Sequence, residues 1–243
     1  MAVQARIYGV DGCRGGWVVA SSCVDLETVA FTLVADQGLG RFLGGLAGTR
    51  PVVAIDVPIG LPEDDSRACD QAARRRLGMP RQTSVFSAPC RGTLAATDYP
   101  QACAINRDLR GRAISRQTWG ILKKIAAVDA LIDELPQLAP HIWEAHPELT
   151  FAELGATPGG VAASKKSAAG HAQRLRLLEA HGLHLDLDAV RLELRGRNVA
   201  RDDIVDAAAC LLTAGRLMRG QAMLRPTGPP PVDALGRRMQ IAA

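Results

Sequence analysis

The chain has 243 residues, 47% hydrophobic and 22% charged, enough for one substantial core or a core with an inserted helical lobe. No apolar run approaches the roughly 20 residues of a membrane-spanning helix, and the opening MAVQARIYGV lacks the layout of a secretory signal, so a soluble cytoplasmic protein is expected. A net charge of +4 permits an anionic partner without announcing nucleic acid, and six cysteines with no CxxC pair argue for reduced thiols and against structural zinc.

Arg6–Val10 reads as a short strand, GCRGG as a turn, Trp17–Ser21 as a second strand and Thr28–Val34 as a third, which suggests an antiparallel meander. Leu39, Phe42, Leu43 and Leu46 have helical spacing within Gln37–Leu46. The run Val52–Val57, bounded by Pro51 and Pro58, is the pattern of a strand buried on both faces. A largely helical section from Ser66 to about Leu135 is expected as an insertion between strands. Ser66 caps a helix through Leu77, a second helix starts near Tyr99, and a third runs from Ser115 to Leu135. His141–His146 reads as another strand, stopped by Pro147. Helices are expected from near Ser164 to His181 and from Asp202 or Asp203 to about Arg219. The proline-rich stretch 224–243 is expected to be extended or loosely packed, outside a single domain spanning 1–223. No fixed internal period marks a repeat array.

Four acids stand out in this layout. Asp11 ends the first strand and Asp56 the fourth; if those strands are parallel neighbours, both carboxylates emerge at one edge of the sheet. Glu144 lies in the strand IWEAH, and RDDIVDAAA places Asp206 on a helix face with Asp202 or Asp203. Simpler readings exist for each: an N-cap for Asp202 or Asp203, a turn residue for Asp11, an arginine partner for Glu144. Asp56 resists them, because a carboxylate in an apolar strand must be paired or must bind a cation. Convergent carboxylates favour a hard divalent ion, Mg²⁺ or Mn²⁺. Lysine occurs only as two doublets, Lys123–Lys124 and Lys165–Lys166, in a chain whose Lys and Arg total 29.

The segments GVDGCRGGWVVA, VAIDVPIGLP, RACDQAARRRLG, SVFSAPCRG, QTWGILKKIAAVD, EAHPELTF, SKKSAAGHAQR and DDIVDAAAC together resemble the DUF429 family of predicted nucleases, in the family's order and over nearly the whole chain. The resemblance implies a ribonuclease H-like α/β fold, with three antiparallel strands followed by two parallel ones and the helical insertion between strands 4 and 5. It also implies metal binding by Asp11, Asp56 and Asp203 or Asp206, with Glu144 as a further ligand. His146 and Glu148 are drawn in by the motif EAHPE, His146 as a proton shuttle, an orienting partner or simply a polar strand residue. Arg14, Arg67, Arg91, Lys124, Lys165 and Lys166 are its candidates for substrate phosphate. Trp17, Trp119 and Trp143 fit the core, and an aromatic content of 4% gives no sign of a base-stacking platform.

The leading expectation is therefore a metal-dependent phosphodiester hydrolase acting on nucleic acid or nucleotide. A phosphotransferase or ATPase of the actin and sugar-kinase type is the second reading; against it stand the single core and the absence of a Walker-type GxxxxGK[ST]. A non-catalytic module with a vestigial site is the third.

Overall fold

The computed structural model describes residues 6–46, 48–155, 161, 163–165, 167–194 and 198–243. Its first three strands, β1 (Arg6–Cys13), β2 (Gly16–Cys23) and β3 (Ala30–Val34), form the expected antiparallel meander. β1 is longer than expected. It runs on to Cys13, so the turn shrinks to Arg14 and Gly15, and Asp11 lies inside the strand opposite Val18.

Strand β4 (Val52–Ile55) adds parallel to β1, and β5 (Ile142–Ala145) parallel to β4. Two further strands lie where loose chain was expected. β6 (Leu224–Arg225) and β7 (Ile241–Ala242) complete a seven-stranded sheet of order β3-β2-β1-β4-β5-β7-β6. The stretch after residue 223 is corrected accordingly. Ile241 and Ala242 are fully buried, and Asp233 accepts hydrogen bonds from the Leu61 N–H (3.0 Å) and from Arg91, which also pairs with Asp129. Prolines and glycines shape the loop that brings β7 back to the sheet, and they hide the two-residue strands within it.

Eight helices are present among the described residues. They are α1 (Leu39–Gly44), α2 (Ala68–Leu77), α3 (Tyr99–Arg110), α4 (Arg116–Glu134), α5 (Pro147–Leu154), α6 (Ala168–Ala180), α7 (Leu187–Glu193) and α8 (Arg201–Met218). The three insert helices α2, α3 and α4 are present, α3 capped by Asp98 and α4 by Ser115; α2 is corrected at its start, where Arg67 and not Ser66 holds the N-cap position and no side chain caps it. Helix α5 was not expected: Pro147 ends the strand but also opens a helix, as proline does at a first helical position. No described helix is long and apolar enough to cross a membrane.

Strand alternation sorts the core. Ile7, Cys13, Val18, Ala20 and Ala54 pack on one face with α5, α6, α7 and α8. Tyr8, Val10, Val19, Val53 and Ile55 pack on the other with α1 and α4. Helix α8 is buried continuously from Ile204 to Gly215, because it lies directly on β1, β2 and β4. Gly9 permits that approach: a Cβ there would run into the Leu211 N–H and the Ala207 carbonyl, backbone atoms that cannot rotate away. Gly9→Ala is therefore expected to lower the free energy of unfolding by about 1–3 kcal/mol, measured as a fall in urea midpoint at constant slope.

Candidate functional site

The same alternation that puts Gly9 under α8 puts Asp11 on that face, one step further along β1. Asp56 follows the last residue of β4, and its N–H donates to the Val10 carbonyl at 2.9 Å, which brings it beside Asp11. Asp206 enters from α8, next to the Ala207 carbonyl that nearly touches Gly9. The three carboxylates share a cavity of about 270 Å³ whose walls also carry Lys165, His146, Arg81 and Phe86. Asp11 and Asp206 are recessed, with 7% and 6% of their surface exposed.

Crowding sets their protonation. Burial raises Asp11 well above the usual carboxylate range, and the neighbouring charges of Asp56, Asp206 and Asp203 push it further, against Lys165. Burial likewise lifts Asp56 to about 6, with His146 and Lys165 opposing and Asp206 and Glu144 adding to the rise. Asp206 is raised by burial and held back by Lys165, whose Nζ stands 3.0 Å from its Oδ2. The ammonium of Lys165 is itself disfavoured by burial, but Asp206, Asp56 and Asp11 outweigh this and raise its pKa.

The cluster thus gathers several acids around one ammonium. Among the described residues, no group of three or more His, Cys, Asp or Glu side chains stands ready to hold a metal ion in the present side-chain arrangement. The donor chemistry nevertheless fits a hard divalent cation. All the donors are carboxylate oxygens, and their mutual repulsion is what such an ion relieves.

Of the other expected site residues, Glu144, Arg67, Glu148, His146 and Lys124 also line this cavity, but each is already engaged by a partner within the protein. Glu144 lines the cavity but turns both oxygens to Arg67, at 2.7 and 2.8 Å, and accepts the Ile59 N–H at 2.7 Å. Its expected role as a metal ligand is corrected to that of a counter-ion. Arg67 is corrected with it: it lines the cavity but is 2% exposed, pairs with Glu144 and Asp70 and donates to the Ile59 and Gly60 carbonyls, so the terminal nitrogens expected to meet phosphate are committed within the protein. Glu148, expected near substrate, makes a buried two-pronged pair with Arg174 at 2.6 and 2.8 Å. His146 caps α5, its Nδ1 accepting the Leu149 N–H at 3.4 Å while Nε2 meets the Ser84 carbonyl at 3.3 Å. With both ring nitrogens engaged, this geometry is that of an orienting residue at the start of α5.

Helix α8 opens at Arg201, one residue before the expected start. The Asp203 carboxylate accepts the Ala200 N–H at 2.7 Å and thereby caps the helix. Asp203 still adds to the field on Asp11. Lys124 reaches the cavity wall, but its ammonium donates to the Gly16 carbonyl (2.7 Å) and to Asp36 (2.8 Å) and lies over the Trp17 ring. Arg91 binds Asp129 and Asp233, and Arg14 is exposed on the turn between β1 and β2; neither lines the acid cavity. Lys166 lies outside the described residues.

Four cavity or support residues escaped sequence reasoning: Asp70, Arg81, Phe86 and Arg174. Asp70 stands three residues after Arg67, a helical spacing that signals a pair. Glu148, in the apolar segment PELTF, demands a buried cation, but nothing local singles out Arg174, 26 residues away. Searches of curated proteins and of solved structures find no match for the chain. The family model described as "Protein of unknown function (DUF429)" matches residues 9–231, nearly the whole span that carries the sheet, the insert and the three clustered aspartates, and the chain belongs to that family.

Proposed function

We propose that the protein is a phosphodiester hydrolase dependent on Mg²⁺ or Mn²⁺ and built on a ribonuclease H-like core. One observation carries this reading: Asp11, Asp56 and Asp206 arrive from two parallel strands and a helix into one recessed cavity, where Asp56 and Asp206 raise the pKa of Asp11 and Asp206 raises that of Asp56. The order of the first five strands, an antiparallel meander followed by β4 added parallel to β1 and β5 parallel to β4, supports the core assignment.

Asp11, Asp56 and Asp206 would hold the cation, with Asp203 shaping the field beside them. When bound, such an ion supplies Lewis acidity toward water and phosphate oxygen. Lys165 and Arg81 offer positive charge on the same wall and would anchor a phosphate. Val57, Pro58, Val85 and Ile121 exclude bulk water, which strengthens every electrostatic contact inside. The Arg67–Glu144 pair and the His146 cap position the strand and helix behind Asp56. Because Asp56 must give up its proton to bind a cation, metal affinity is expected to rise with pH through about 6 and binding to release protons.

The test is Mn²⁺ calorimetry on wild type and Asp11→Asn, followed by hydrolysis of bis(p-nitrophenyl) phosphate and of oligonucleotides. Removing one ligand should cut both binding and cleavage at least about 100-fold. A folded wild type that binds no Mn²⁺ overturns the reading, and thermal stabilisation by ATP in its place would point to phosphoryl transfer.

A further inference from the structure

A second cavity, of about 450 Å³, opens on the helical insert and shares two wall residues with the acid cavity, Val85 and Phe86. Its lining includes Arg74, Arg110 and Arg112, and among the described residues no Asp or Glu lines it. Arg74 is fixed by the Val85 carbonyl (3.0 and 2.9 Å) and by Ser87 (3.0 Å), and Arg110 by the Ala88 carbonyl (3.1 Å). These bonds use only part of each five-donor guanidinium fork. Arg112 is exposed, and Phe86, on the shared wall, is 39% exposed.

We propose that this groove is the track along which single-stranded nucleic acid reaches the acid cavity, an inference that rests on the phosphodiesterase reading above. Three guanidinium groups on one groove wall without an acid among the described lining residues suit a phosphodiester backbone, since the planar fork binds phosphate oxygens in pairs. An exposed ring at the junction supplies a face on which one base stacks, whatever its identity. The composition had suggested no stacking platform; a single well-placed aromatic suffices for one base.

The recess selects for a single strand. Asp11 and Asp206 lie at the bottom of a cavity of about 270 Å³, and a duplex holds its phosphates on a stiff cylinder that cannot bend into it. A single strand can turn one phosphate inward past Phe86 while its neighbours remain on the arginines.

The experiment is fluorescence anisotropy of labelled dT12 in EDTA, where nothing is cleaved, across a salt series, for wild type, Arg110→Gln/Arg112→Gln and Phe86→Ala. The arginine variant should bind at least about tenfold more weakly, with the slope of log affinity against log salt reduced by about 1.4, two phosphates at roughly 0.7 each. Phe86→Ala should lose affinity at unchanged slope. With Mn²⁺, the ratio of kcat/KM for dT12 to that for bis(p-nitrophenyl) phosphate should fall in both variants. Equal dT12 binding by wild type and the arginine variant overturns the groove even if the small ester is hydrolysed. Equal binding of a 12-base-pair duplex or of polyglutamate overturns its selectivity. Failure to hydrolyse the small ester, with the dT12 effects intact, rejects the catalytic reading and leaves the groove as a binding site.

Discussion

Arg67→Met is expected to lower the free energy of unfolding by about 3–5 kcal/mol, the usual result of leaving buried charge without its partner. Arg67 is the hub of a dry cluster: Glu144 takes both of its terminal nitrogens, Asp70 takes one, and the side chain is 1% exposed. Methionine fills much of the volume but leaves two carboxylates facing apolar walls. Without the guanidinium, which now opposes the rise that burial causes at Glu144, that acid would hold its proton to higher pH in the folded chain than in the unfolded one. The variant should then gain stability as pH falls from 7 toward 5. Adding Glu144→Gln should recover part of the loss, since an amide is cheaper to bury than a carboxylate. Urea titrations of the single and double variants at pH 7 and pH 5 read all of this. A loss below about 1 kcal/mol in the single variant would mean that water reaches the pair and that the cluster is not what holds β5 to α2. Glu144→Gln alone should leave Mn²⁺ stoichiometry unchanged, which separates its counter-ion role from that of a ligand.

Asp56→Asn should act in opposite directions with and without metal. In the folded chain Asp56 keeps its proton up to about pH 6, against an ordinary value of 3.8. The folded state therefore binds the proton more tightly than the unfolded state, and its stability falls as pH rises from about 4 through about 6. Above that window the penalty approaches roughly 3 kcal/mol, the equivalent of the shift from 3.8 to about 6. Asparagine removes it, so metal-free Asp56→Asn should be more stable than wild type at pH 8 and equal to it near pH 4. Mn²⁺ at about 1,000 times Kd should reverse the order, because a ligand at that level adds about 4.1 kcal/mol to the protein that binds it. Hydrolysis should be lost under both conditions. Thermal melts at pH 4 and pH 8, with and without Mn²⁺, decide it. Wild-type stability that stays flat between those pH values, or a metal-free variant no more stable than wild type at pH 8, would remove the argument that repulsion among acids is stored in this site.

Asp11 and Asp56 were legible in the sequence because each interrupts an apolar run, and an interruption of that kind has few explanations. Asp206 was legible through its helical spacing from Asp202 and Asp203. Glu144 looked equally informative and was not, since its answering charge lies 77 residues away and nothing local distinguishes a paired acid from one awaiting a cation. Arg67 was misread for the same reason: exposure separates a structural guanidinium from a binding one, and exposure is a tertiary property. Proline misled twice, at Pro147, where it opened a helix as well as ending a strand, and in the stretch 224–243, where it surrounds two strands too short for alternation to show. The arginine groove was illegible because Arg110 and Arg112, together at the end of α3, meet Arg74 of α2 only when the insert helices are packed.

β7 lies inside the sheet, between β5 and β6, yet it follows every other strand in the sequence. Until residues 241–242 dock, β5 is an open edge with unpaired backbone groups, the kind of surface to which foreign strands add. Pairing β5 with β7 closes a loop of nearly a hundred residues, a slow event by the logic of contact order. The newly made chain is thus most vulnerable to aggregation late in its folding, at the strand that carries Glu144, and the acid cavity gains its last wall residue, Ile241, only when that vulnerability ends.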